Sequence, residues 1–141
     1  MTAEAVFSVV NLVAVVGWLL LVAAPRSRLA TTAAGTVIPL LLAVVYLTLF
    51  AVHVGTARGG FSTLAAVAEL FSNPWLLLAG WVHYLAFDLL VGTWEARDAR
   101  ERGVPHLALV PCLFLTFMFG PAGWLTYLGV RAVASRKSGG S

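Results

Sequence analysis

Residues 5–24 carry no charged side chain, and Ser8 and Asn11 are the only strongly polar groups among them. As an α-helix such a run is about 30 Å long, which matches the hydrocarbon core of a bilayer. Three further apolar runs follow, over about 33–54, 74–94 and 106–131. A water-soluble fold of 141 residues could not bury this much apolar surface, since 60% of the chain is hydrophobic, 11% is charged and the mean hydropathy is +0.93. In hydrocarbon, backbone N–H and C=O groups must find partners within the segment, so runs of this length are helices. The expectation is an all-α integral membrane protein, a bundle of four transmembrane helices forming one domain over residues 1–137.

The joins are informative. The leader Met1-Thr2-Ala3-Glu4 has no Lys or Arg and the first run is too long for a signal-peptide core, so it reads as a span. Pro39 predicts a kink early in the second span. Over 61–72, Phe61, Leu64, Ala65, Ala68 and Phe71 recur at helical spacing beside Ser62, Thr63 and Glu69. That stretch is too short to span and reads as a short interfacial helix between spans two and three. Asn73-Pro74 is a cap followed by a first-turn proline, and Gly103-Val104-Pro105 is a stop. In the last run, Pro111 and Gly120-Pro121-Ala122-Gly123 free backbone groups that need partners. A break is expected there, facing protein or a cavity and approaching the middle of span three. The closing 138–141 reads as a flexible tail.

The net charge of +3 is spread over several short non-apolar stretches and makes no basic face, which argues against nucleic acid. Across four spans, the first and third loops would hold five Lys or Arg, and the second loop and tail four. This is nearly a tie under the positive-inside rule. The acidic leader and the arginines after span one favour both termini outside. Cys112 sits in an apolar run and reads as a small buried filler. No His and carboxylate stand three or four residues apart, so no metal site is expected.

Ionisable residues inside a span are costly and are by default functional hypotheses. Span three has two, Asp88 and His83. At about 100° per residue, Asp88 shares a face with Tyr84 and Trp81, with Glu95 two turns on, while His83 lies on the adjoining face with Phe87 and Trp94. Both faces can line one wide cavity. The plainer alternatives stand beside this: Asp88 as polar packing glue on the Gly120-Pro121 break, His83 as a hydrogen-bonded core histidine, His106 at an interface, and Asn73 as a cap. Residues 95–102, Asp98 included, read as a solvated helix end with local ion pairs. Trp81 is too deep for an interfacial belt and reads as a cavity wall.

These same residues carry a family likeness. Asn73-Pro74, the stretch from Gly80-Trp81-Val82-His83-Tyr84 through Phe87-Asp88 to Trp94, Arg97-Asp98, Pro105-His106, Pro111-Cys112 and Phe119-Gly120-Pro121-Ala122-Gly123 resemble the small four-helix membrane family of the plant abscisic-acid-deficiency protein required for neoxanthin synthesis. The likeness covers nearly the whole chain and is most specific between Asn73 and Gly123. It implies a C40 carotenoid epoxide as substrate. The implied reaction is violaxanthin to neoxanthin, by epoxide opening with loss of a proton from the neighbouring chain carbon. That isomerisation needs an acid, a base and a dry site, and no cofactor. Asp88, His83 and Glu95 are the acid and base candidates. Trp81, Tyr84, Phe87, Trp94, Asn73, Asp98 and His106 are candidate substrate contacts. The expected partner is an apolar isoprenoid or lipid, with no nucleic acid, and a homo-oligomer is compatible. The Ala-, Val-, Leu-, Gly- and Arg-rich composition points to a bacterial plasma membrane. The alternatives are an enzyme acting on another isoprenoid lipid and a non-catalytic carotenoid- or lipid-binding protein that assists a partner enzyme. A channel ranks last unless oligomers form a pore, because spans one and two offer almost no polar path.

Overall fold

The computed structural model describes residues 1–138. Of the expected tail, residues 139–141 lie outside the described residues and Ser138 ends the last helix. All regular structure among the described residues is helical.

Helix α1 (Ala3–Ala23) starts where the Thr2 hydroxyl accepts from the Ala5 N–H at 3.2 Å, with Glu4 in the first turn at the positive end of the helix dipole. After a turn at Pro25, Ser27 caps α2 (Arg28–Thr32). This runs through a π turn (Ala33–Val37) into α3 (Ile38–His53) and a short 3-10 turn (Val54–Thr56), giving one rod. The π turn stands just before Pro39, whose missing N–H breaks the regular ladder, so the expected kink takes the form of a wider helical turn. A short helix, α4 (Leu64–Leu70), is narrower than the expected 61–72 and is capped by Thr63. Helix α5 (Pro74–Glu101) starts as its sequence says, with Asn73 Oδ1 accepting from the Trp75 N–H at 2.9 Å. Helix α1, the rod Arg28–Thr56 and α5 are each long and apolar enough to cross a membrane.

Helix α5 is the centre of the bundle. Its 28 residues extend about 42 Å, so its charged end projects beyond a hydrocarbon core of about 30 Å. Helix α1 runs parallel to it: Phe7 and Asn11 meet Trp81, and Trp18 lies against Gly92. The rod runs antiparallel, with Thr31 at Arg97, Tyr46 at His83 and His53 at Trp75. Val82, Leu89, Leu21 and Leu42 are fully buried between these elements.

The fourth apolar run departs from expectation. Residues 106–131 form two helices, α6 (His106–Phe119) and α7 (Pro121–Ser138), which meet at Gly120 and lie side by side as a hairpin. Helix α6 descends along α5 from its charged end: Thr116 bonds Glu95, the Met118 carbonyl meets Tyr84, and Gly120 stands against Asp88. Helix α7 then climbs back, with Tyr127 against Trp94 and Asp98, and Arg131 at Asp98. Had the run continued as one span, these residues would lie near the start of α5. The reversal has a local cause, because Gly120 sits at φ 49 and ψ −100, where a side chain is strained. A Cβ on Gly123 would overlap the backbone N and Cα of Thr116, which is how closely the two arms approach.

Candidate functional site

Helix α5 turns one polar face to the hairpin. Residues 84, 88, 95 and 98 fall on that face because steps of three, four and seven residues nearly close whole helical turns. Asp88 lies about halfway along α5, at the hairpin tip. A Cβ built on Gly120 would be 2.9 Å from Asp88 Oδ1, and the Tyr84 hydroxyl lies beside the same carboxyl. Tyr84 also reaches the Met118 carbonyl, a long contact at 3.4 Å. Asp88 Oδ2 is buried and has no hydrogen-bond partner among the described residues. The expected approach of the Gly120-Pro121 break to the middle of α5 is therefore present.

Two turns on, Glu95 is fully buried and accepts from Thr116 Oγ1 at 2.9 Å, while its Oε2 has no partner among the described residues. Asp98 is the most heavily bonded carboxylate of the three. It accepts from the Tyr127 hydroxyl at 2.6 Å and from Arg102 Nε at 2.8 Å, with Arg131 Nη1 at 3.4 Å. Arg131 also stands over the Trp94 ring at 5.9 Å. The expected solvated helix end is thus corrected for Glu95, which Thr116 of α6 answers, and for Asp98, which Tyr127 of α7 answers. Among the described residues, the Asp98 and Arg102 pair is the one local ion pair of that reading.

A groove of about 560 Å³ runs between α1 and α5 from the opposite end of the bundle. Its mouth is at Glu4, Phe71 and Pro74, its walls are Phe7, Leu77 and Leu78, and its inner end is Trp81 and Tyr84. Trp81 Nε1 donates to Asn11 Oδ1 at 3.2 Å, which holds the indole across the groove. Tyr84 belongs to both places, closing the groove and touching the Asp88 carboxyl.

Of the residues singled out from sequence, the structure brings Trp81, Tyr84 and Asp88 together, with Glu95 farther along the same face. His83 is exposed on the other side of α5, stacked on Phe87 at 4.6 Å and packed on Tyr46 of α3. It does not share a cavity with Asp88, because the rod occupies one face of α5 and the hairpin the other. Phe87 goes with His83, and Trp94 with Tyr127 and Arg131. Asn73 is used as the α5 cap. His106 opens α6 at the far end of the bundle. Sequence reasoning missed Thr116, Tyr127 and Arg131, which answer the carboxylates of α5, and Phe7 and Asn11, which build the groove. The available signal was three carboxylates on one face of α5 whose partners had to come from another element.

These features define a class: an all-helical membrane protein whose central helix presents buried carboxyl groups to a helical hairpin, beside an apolar groove. The chain belongs to the ABA DEFICIENT 4-like family, whose model matches residues 5–127. The matched stretch takes in α1, the rod, α5, the hairpin tip and Tyr127. No curated protein and no solved structure matches the chain.

Proposed function

We propose that the protein is an isomerase of carotenoid epoxides, acting on a substrate whose end ring enters the α1–α5 groove. The observation that carries this reading is Tyr84, which closes an apolar groove on one side and on the other touches the Asp88 carboxyl, whose buried Oδ2 has no hydrogen-bond partner among the described residues. A groove of this size lies within the about 300–1,000 Å³ of small-molecule pockets, and its apolar walls suit a polyene. In the reaction the epoxide C–O bond breaks, its oxygen gains a proton, and the chain carbon next to the ring loses one as the allene forms. Atoms balance without an external reactant, so the site supplies one proton donor and one acceptor. The contact of Tyr84 with the Asp88 carboxyl beside the groove supports giving these roles to Asp88 and Tyr84 in this reading, and none to His83, which lies on the opposite face. Glu95, coupled through the same polar face, is a positioning residue that bonds the hairpin at Thr116.

The test is turnover of violaxanthin by the purified protein in lipid nanodiscs, followed by chromatography of the pigments. Formation of neoxanthin supports the reading, and Trp81→Ala should then raise KM by removing part of the groove's inner end. If violaxanthin is bound and returned unchanged, the protein is a carotenoid-binding module instead.

We also propose a bilayer topology: three crossings followed by a re-entrant hairpin, with α4 lying in the interface. A non-helical backbone at membrane depth is tolerated where protein covers it, and the Gly120 turn is covered by Asp88 and Tyr84. The charges support this arrangement. Among the described side chains, Arg26 and Arg28, then Arg97, Arg100 and Arg102, then Arg131 fall at one end of the bundle, and Arg58 alone at the other. The near tie of the four-span reading becomes a strong bias, which supports a proposed orientation with the arginine-rich end on the cytoplasmic side and the groove mouth on the outer side. Reporter fusions at the two termini should report opposite sides. Signals from the same side would reject the re-entrant hairpin.

A further inference from the structure

A second, smaller cavity of about 130 Å³ lies at the arginine-rich end, away from the groove. Four elements converge on it: the turn after α1 brings Arg26, the last turn of α5 brings Arg100 with Ala96 and Ala99, the Gly103-Val104-Pro105 turn forms its floor, and α6 opens with His106. No carboxylate lines it. The nearby Asp98 is already taken by Arg102 and Arg131, so it is not available to Arg26 or Arg100. Neither of those two arginines has an ion pair among the described residues. The His106 ring lines the cavity, and its Nδ1 is buried without a hydrogen-bond partner among the described residues. Helix α6, 14 residues long, starts at His106, so the positive end of its dipole lies at the cavity.

The cavity gathers two exposed guanidinium groups that form no ion pair among the described residues, a histidine and a helix start, with no carboxylate lining it. We propose that this cavity binds a phosphate group, carried by the headgroup of an anionic lipid or by a soluble phosphate. Arginine is suited to it, because its planar fork matches phosphate oxygens with paired, charge-assisted hydrogen bonds. The location favours the lipid: the cavity lies where the apolar part of α5 gives way to its charged end, which is headgroup depth in the bilayer topology proposed above. Basic pockets between helices on the cytoplasmic side are where anionic headgroups are held. Phosphate bound there would tie α1, α5 and α6 together at the root of the hairpin. The site is independent of the proposed isomerase chemistry.

The test is native mass spectrometry of the full chain released from detergent, with dioleoyl phosphatidylglycerol, diacylglycerol of the same chains, and inorganic phosphate as probes. The wild-type protein should retain phosphatidylglycerol over diacylglycerol. Arg26→Gln combined with Arg100→Gln should weaken that retention by about tenfold or more, the scale of one lost charge-assisted hydrogen bond. Arg28→Gln, outside the cavity, should retain the lipid. If millimolar inorganic phosphate displaces the lipid, the site serves a soluble phosphate; if it does not, the headgroup is the ligand. Equal retention of the two lipids by the wild-type protein overturns the proposal without recourse to any variant. So does wild-type retention by a monodisperse double variant.

Discussion

Replacing Gly123 with alanine should lower the stability of the protein by about 2 kcal/mol or more, although it adds a single methyl group. The added Cβ would overlap the backbone N and Cα and the Oγ1 of Thr116 on the facing arm. Backbone atoms have no rotamer to escape into, so the arms must separate, and overpacking of this kind costs about 1–3 kcal/mol before any lost contacts are counted. Separation would also pull Thr116 from Glu95 and Tyr127 from Asp98, leaving two buried carboxyl groups with fewer donors. Gly129, on the same helix α7, is the internal control: nothing lies within 4 Å of a Cβ placed there. Gly129→Ala should leave stability unchanged or raise it by about 0.5–1 kcal/mol, the ordinary gain from removing a helical glycine. Thermal midpoints of the two variants in one detergent, read by fluorescence-detected size exclusion, compare them directly. Matching midpoints would mean that the arms of the hairpin are not in contact as described.

Much of this architecture was legible from local signals. The Asn73-Pro74 start of α5, the disturbance at Pro39 and the break at Gly120 each depend on a few adjacent residues, and the structure has all three. The direction of the chain after Gly120 was not legible, because reversal and continuation satisfy the same apolar pattern. It depends on the Gly120 torsions and on contacts from α7 to Trp94 and Asp98, some thirty residues back in sequence. One long-range signal was available in the charges. A four-span chain splits its Lys and Arg almost evenly, whereas a hairpin gathers all the described ones but Arg58 at one end. The site divides the same way. Helical periodicity placed Asp88 with Tyr84 and Trp81, and the structure keeps that face together. The same periodicity put His83 on the adjoining face, and the identity of each face's neighbour was then decisive. Tyr46 of α3 takes the histidine, and the hairpin tip takes the aspartate. Glu95 and Asp98 looked solvated because their partners, Thr116 and Tyr127, come from a run that was expected to cross the membrane and leave.

Asp88→Asn should abolish most turnover while leaving the fold in place. Asparagine keeps the shape of the side chain and an oxygen that can accept from Tyr84, so the contact with Gly120 and the hairpin tip survives. What it removes is the ability to take up and release a proton at a carboxyl group. If Asp88 is the acid or base of an epoxide isomerisation, the loss should be about 10²- to 10⁴-fold in kcat, with binding of the carotenoid nearly unchanged. Packing glue predicts the reverse pattern, because a polar amide bonds the hairpin tip as well as a carboxyl does and turnover would be retained. Tyr84→Phe separates the two residues further. It removes the hydroxyl that touches both Asp88 and the Met118 carbonyl but preserves the aromatic end of the groove. If Asp88 and Tyr84 act on the same proton transfer, the double variant should be little worse than Asp88→Asn alone, whereas independent roles would make the losses multiply. His83→Gln, on the opposite face, should leave kcat within about twofold of wild type, since general acid or base roles are worth far more than that. Full turnover by a monodisperse Asp88→Asn protein would remove the carboxyl from the chemistry, and a large loss in His83→Gln would show that the reacting face of α5 is the one packed on α3.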